Sequence, residues 1–546
     1  MTREERARVE SVAARGGFGA WWARYLLSSD NHRLATATRR AEDSHRDGFD
    51  RQLATLSDRG YRGAGGGRSS VVPATPEWRG TTTQTAGLWP FSVGASAPVV
   101  GTPLGPHFIT GSPVHFDPMA WFLRGFLTAP TLFVLALNGF GKSSLIRRIM
   151  TGAVAAGETV LALGDTKGEY RDLVERLGGQ IVELGYGRGK LNPLAVGALG
   201  VVVDRLPDSD LRRQVIARVE AGQVTIVAAL IELVRGDRIA DWEETLLAAG
   251  LRQLYSSGDY TMSRPPLLRD LLGVISDGGE NMLRSSEEDV EHAYRDSTRT
   301  LRRSLRALIE GPFGEALDGH TTTELNLDAP AVCVDVSHIP DGDNKLLAAV
   351  LMVCWSEGIS AVTAVHTLAD AGLARKRTFE IVLDEIWRVL GLGDFMVDRV
   401  DALTRLNRPL GSGLIMCSHT IKDLSAFDSP AARMKALGFI ERSRAKILGP
   451  IPPDEVERLR AVVPLTKTEE LLLTGWAAPR QPTEELLDSR GERETPPGTG
   501  CFLLRTGEGQ QPGIPFRLVF TATERATQVH NTNRRFDGLR DTEDAG

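Results

Sequence analysis

The chain has 546 residues, too many for one ordinary core, so two or three domains are expected. Its 42% hydrophobic and 25% charged residues describe a soluble globular protein. A net charge of -6 excludes a global electrostatic footprint for nucleic acid and leaves only a local basic channel open to it.

The first residues, Met1 to Arg8, carry mixed charge without an apolar run, unlike a signal peptide. Residues 1–80 are expected to form a charged helical arm and linker, with Trp21, Trp22, Tyr25 and Leu26 as its strong apolar cluster. Glycines at 63 and 65–67 and prolines at 73 and 76 mark the linker. Residues 81–205 then pass from loops with short strands into alternating strand and helix patterns. Leu132–Leu135, Val160–Leu163 and Ile181–Leu184 are the strand candidates, and Tyr170–Leu177 reads as a helix. That alternation predicts βαβ units and a parallel sheet.

Over residues 206–315 the apolar spacing becomes helical, as at Val224, Ile226, Leu230, Ile231 and Val234. This is expected to be an all-helical insertion, long enough for a subdomain. Strands resume in residues 316–525, at Ala331–Val336, Phe379–Leu383 and Gly413–Cys417, with Cys501–Leu504 and Phe516–Phe520 as further strands of the sheet. Residues 526–546 are polar and expected to be a disordered tail. The nearest approach to a membrane span, Leu346 to Val365, is interrupted by Glu357 and falls short of the ~18 uninterrupted apolar residues a span needs. Cys333, Cys354, Cys417 and Cys501 form no C-x-x-C pair. No zinc site or disulfide framework is read from them, which suits a reducing cytoplasm.

One stretch organises the rest: Ala136-Leu137-Asn138-Gly139-Phe140-Gly141-Lys142-Ser143. Strand, glycine-containing loop, Gly-Lys-Ser and helix follow in the order that a phosphate-binding P-loop requires. The backbone N–H groups from Asn138 through Ser144, at a helix N-terminus, would face an anion. Lys142 adds a point charge toward the β- and γ-phosphates, and the Ser143 hydroxyl is placed to ligate Mg²⁺. The usual first glycine is Ala136 here, which is acceptable if its φ stays negative.

The strand Phe379–Leu383 ends in Asp384-Glu385. An aspartate there holds the magnesium shell, and the adjacent glutamate can orient or deprotonate an attacking water. His419 follows the strand Gly413–Cys417 and reads either as a γ-phosphate sensor or as a surface histidine at a strand end. Arg405 and Arg408 read either as arginine donors supplied across a subunit boundary or as a solvated helix face.

Taken in order, these blocks resemble the conjugative-transfer ATPases of type IV secretion systems, in the FtsK/HerA-like branch of P-loop motors. The matching blocks begin with Gly87-Leu88-Trp89-Pro90-Phe91, Gly101-Thr102-Pro103-Leu104-Gly105 and Phe116-Asp117-Pro118. They continue with Asp165-Thr166-Lys167-Gly168-Glu169-Tyr170, Gly178-Gly179, Leu191-Asn192-Pro193-Leu194 and Asp384-Glu385-Ile386-Trp387. Ser418-His419-Thr420 stands where the family usually has Thr-Gln-Ser. The resemblance covers roughly residues 85 to 525, and the N-terminal region is shorter than in many members.

The resemblance implies an α/β P-loop NTPase core with a mainly parallel sheet, a helical insertion and a short N-terminal region. It implies Mg²⁺-dependent ATP hydrolysis that energises conjugative DNA transfer or secretion, with Glu385 as general base. It also implies a homo-hexamer with nucleotide between subunits, other conjugation or secretion components at the membrane as partners, and possible contact with DNA. The protein would be cytoplasmic, or peripheral at the inner face of the cell membrane. Two rival readings are a cytosolic DNA translocase unconnected to secretion and a nucleotide-binding assembly protein with weak hydrolysis.

Overall fold

The computed structural model describes residues 3–15, 18–44, 97–207, 209–340, 342–392, 396–397, 400–401, 412–422, 430–478, 498–507 and 512–530. The chain divides into two compact units. In the first, the helices Arg3–Ala13 and Phe18–Ser44 pack on each other, with Ala20 and Ala23 buried. Trp22 stacks on Tyr25 at 5.6 Å, and both rings are more than half exposed.

The second unit is built on a nine-stranded sheet. Two short strands, β1 (Pro103–Pro106) and β2 (Pro113–His115), come earlier in the chain. The sheet strands are β3 (Thr131–Leu135), β4 (Thr159–Asp165), β5 (Gln180–Glu183), β6 (Ala331–Asp335), β7 (Phe379–Leu383), β8 (Gly413–Ser418), β9 (Ala445–Leu448), β10 (Cys501–Thr506) and β11 (Ile514–Arg517). Their spatial order is β11-β10-β9-β3-β8-β7-β4-β6-β5. From β9 to β5 every pairing is parallel, while β10 and β11 add antiparallel to the β9 edge. The result is an α/β P-loop NTPase-like fold.

The central strands are mostly apolar because helices cover both faces, so no alternating polar face is needed; Glu380 in β7 is an exception. Every residue of β4, β6, β7 and β8 is buried. One face is covered by the helix Asn344–Asp370, whose Trp355 is fully buried and donates from Nε1 to Leu163 O at 2.8 Å. That carbonyl sits beside an irregularity in the β4–β6 register between Leu163 and Asp165. Gly164 occupies the irregularity with φ 104°, and a Cβ there would come within 2.2 Å of Leu351. A bulge at this point turns the end of β4 and re-aims Asp165.

Helices from Ala198 to Leu317 lie between β5 and β6 in sequence. Their apolar residues, among them Val227, Leu246, Leu271 and Leu305, share one hydrophobic cluster with the sheet residues Phe133, Leu161 and Val334. Asn192 ties the entry of this region down: its Nδ2 donates to Pro266 O at 2.9 Å, and its Oδ1 accepts from Leu194 N at 3.0 Å. Two described helices, Asp210–Arg235 and Asn344–Asp370, are long and apolar enough to cross a membrane, so the break at Glu357 does not remove that property. In the second, 89% of the apolar window is buried inside the protein, as expected of a core helix. The four cysteines are buried and free.

Candidate functional site

The P-loop sequence leaves β3 at Leu135 and enters the helix Lys142–Ala155. Gly141 precedes that helix in the left-handed region, φ 93°, and no side chain caps the helix. Gly139 is also left-handed, at φ 82°. A helix start left uncapped by side chains presents backbone donors and the positive end of the helix dipole to an incoming anion. Neighbouring backbone holds the loop's flanks: Leu137 N donates to Pro450 O at 3.2 Å, and Phe140 O accepts from Gly500 N at 3.0 Å. Ala136 is absent from the positive-φ residues, so its methyl costs no backbone strain. Gly449 supplies the room, since a Cβ there would stand 2.6 Å from the Ala136 methyl.

Four segments meet at the C-terminal ends of four adjacent strands, β3, β8, β7 and β4. Lys142 follows β3 and is 5% exposed. Its Nζ lies 3.1 Å from His419 Nδ1 and 3.9 Å from Asp384 Oδ1. His419, after β8, has Nε2 2.7 Å from Glu385 Oε1. Lys142 Nζ lies 3.3 Å from Nε2 as well, and an Nε2–H donated to Glu385 leaves Nδ1 as the ring nitrogen able to accept from the ammonium. Thus the structure brings Lys142, Asp384, Glu385 and His419 together.

Glu385 is the most constrained member. It is 1% exposed and has φ 51°, a left-handed conformation that costs a non-glycine residue roughly 1–3 kcal/mol and clusters at functional sites. Its Oε1 accepts from Lys167 Nζ at 2.7 Å as well as from His419, and its Oε2 accepts from Trp387 Nε1. Burial alone would push this carboxyl up. The His419 hydrogen bond and the charge of Lys142 outweigh burial, as does the hydrogen bond from Lys167. Together they hold the group far below the usual carboxylate range.

Three contributors carry no site signal in the sequence alone: Lys167, Tyr170 and Trp387. The first two belong to the block after β4, which carries no chemistry by itself. Asp165 organises that block by accepting from Glu169 N at 2.9 Å and Tyr170 N at 2.7 Å. Burial pushes Asp165 up to about 6, against the pull of these amide hydrogen bonds. The Tyr170 hydroxyl then donates to Asp384 Oδ2 at 2.8 Å. Only the packing of β4 against β7 creates that contact. Arg405 and Arg408 lie outside the described residues.

The donor set suits a hard divalent cation: the Ser143 hydroxyl adjoins Lys142, and the Asp384 carboxylate stands 3.9 Å from the Lys142 ammonium. A second group, Glu183, Asp335 and His338, brings potential ligand atoms within 4.8 Å of one another. There Arg171 already pairs with both Glu183 and Asp335.

Among solved structures, VirB4 of Thermoanaerobacter pseudethanolicus superimposes with a TM-score of 0.57 at 18% identity, covering 79% of this chain and all of that one. The fold is shared. The bacterial conjugative coupling protein TrwB, lacking its first 70 residues, gives a TM-score of 0.41 at 13% identity over 76% of this chain and 88% of its own. TrwB in complex with ADP and Mg²⁺ gives the same values. No family model matches the sequence, and no curated protein matches it.

Proposed function

We propose that the protein is a Mg²⁺-dependent ATPase that energises conjugative DNA transfer or type IV secretion. The observation that carries the hydrolytic reading is the convergence on one strand edge of the uncapped Gly-Lys-Ser helix start, Asp384 and the constrained Glu385. Ligands in open α/β sheets bind at this edge, beyond the strands' carboxyl ends. The reading of the biological context rests on the ordered sequence blocks, and the shared VirB4 fold is compatible with it.

In this mechanism the backbone from Asn138 to Ser144 cradles the phosphates, and Lys142 neutralises the β- and γ-phosphate oxygens. Ser143 and Asp384 would hold Mg²⁺, Asp384 through water; the bound ion would spread charge from the phosphates. Glu385 takes the proton of the attacking water. His419 orients Glu385 through Nε2 while receiving Lys142 at Nδ1. Arg405 and Arg408 would supply charge to a neighbouring subunit's nucleotide in a homo-hexamer. The protein would work in the cytoplasm or at the inner membrane face beside other secretion components.

Phosphate release from ATP, measured with Mg²⁺ and with EDTA, with and without DNA, tests this. Turnover that needs Mg²⁺ and is lost in Lys142→Ala supports hydrolysis at this site. Stimulation by DNA alone, with no membrane components co-purifying, would favour a cytosolic translocase. Nucleotide-driven oligomerisation without turnover would point to an assembly protein.

A further inference from the structure

We infer that Lys167 is a γ-phosphate sensor: it clamps Glu385 while no triphosphate is bound and moves to the terminal phosphate when one enters. The inference rests on the phosphate-site reading above and deepens it.

The geometry carries the argument. Lys167 Nζ donates to Glu385 Oε1 at 2.7 Å and lies 3.4 Å from His419 Nε2. Lys142 Nζ lies 3.3 Å from that same Nε2. The two ammonium groups therefore flank one imidazole, and a phosphate held by Lys142 comes within the side-chain reach of Lys167. The two lysines differ in freedom. Lys142 is 5% exposed, whereas the Lys167 side chain is 41% exposed, with solvent on one side of it. The backbone beneath Lys167 is fixed, because Asp165 accepts from the amides of Lys167, Glu169 and Tyr170. A partly exposed cation on an anchored loop can exchange partners without rearranging the fold.

The exchange has a direction. With Lys167 and His419 on Oε1 and Trp387 on Oε2, both carboxylate oxygens of Glu385 are engaged. An engaged carboxylate is poorly placed to accept a proton from water. A terminal phosphate offers more negative charge and three acceptor oxygens, so it competes for the ammonium. Losing Lys167 frees Oε1 on one side. A diphosphate has no group at that position, so the clamp stays. A ligand can shift such an equilibrium only through contacts that differ between the two states, and here the differential contact is the Lys167–phosphate bond.

Calorimetric titration of the full chain with Mg²⁺ plus either a non-hydrolysable ATP analogue or ADP tests this without reference to turnover. Wild type is expected to prefer the triphosphate. Lys167→Met should lower triphosphate affinity about tenfold, the worth of one charge-assisted hydrogen bond, and leave ADP affinity within about twofold. Lys167→Gln should behave likewise, and Lys167→Arg should restore the preference. An unchanged preference in Lys167→Met, or equal losses for both nucleotides, overturns the sensor and leaves the phosphate site standing. Failure of the wild-type protein to bind either nucleotide overturns the phosphate-site reading itself.

Discussion

His419 Nε2 lies 2.7 Å from Glu385 Oε1, joining side chains 34 residues apart across the ends of neighbouring strands. Lys142 Nζ lies 3.1 Å from the opposite ring nitrogen and 3.3 Å from Nε2 itself. A glutamine offers the same pair of functions, an amide donor and a carbonyl acceptor. His419→Gln is therefore expected to keep turnover within about tenfold, whereas His419→Ala should lose about tenfold or more, since hydrogen bonds to charged groups contribute roughly 1.5–3 kcal/mol. Phosphate-release rates at saturating Mg-ATP compare the two. Equal rates in both variants would make the histidine a bystander.

Lys142→Ala should abolish nucleotide binding or turnover, because it removes the buried cation from the phosphate cradle. Thermal unfolding should show a folded protein. Near-wild-type turnover would sink the P-loop assignment.

Glu385→Gln should retain ATP binding and lose hydrolysis by ~10²–10⁴, the usual worth of a general base. The amide still hydrogen-bonds water but cannot take its proton. Asp384→Asn should instead weaken the Mg²⁺ dependence, read as a higher Mg²⁺ concentration for half-maximal rate. Unaltered rates per folded molecule would make both carboxylates structural.

For Arg405 and Arg408, one alanine replacement should spare ATP binding and abolish turnover, since fingers supplied in trans contribute ~10³–10⁵. Mixing that variant with Lys142→Ala should restore partial activity, because some interfaces then pair an intact loop with an intact arginine. No recovery in mixed oligomers verified by native mass spectrometry would count against a trans role.

A buried acidic group gives a pH prediction. Glu380 is fully buried in β7, and neither carboxyl oxygen has a hydrogen-bond partner among the described residues. Burial raises it well above the ordinary value, and the charges of Glu158 and Asp117 raise it further. Burial, then the charge of Asp117, pushes Glu158 up to about 7 from an ordinary 4.5. Between these values the folded chain holds protons that the unfolded chain releases, so stability falls as pH rises from 4.5 through 7. Glu380→Met should flatten that fall and add about 1–3 kcal/mol at pH ~8, the cost of an unsatisfied buried polar group. Urea unfolding across pH measures it. A loss of stability at every pH would mean that the carboxyl has an essential partner.

The sequence by itself determined what local pattern can encode. The loop from Ala136 to Ser143, the apolar strands, the helical run between β5 and β6 and the Asp384-Glu385 pair all sit in contiguous residues whose spacing carries the signal. Strand order is different, because it is settled by packing between segments hundreds of residues apart. Only the tertiary structure sets β3, β8, β7 and β4 side by side and joins β10 and β11 antiparallel to the edge. Only there does the small residue Gly449 explain why Ala136 fits. The partners of Glu385 follow the same logic: Lys167 is 218 residues away in sequence, and no periodicity links them. Their contact exists because β4 and β7 are paired in the sheet, so the loop after β4 reaches the end of β7, where each charge favours the other's ionised form.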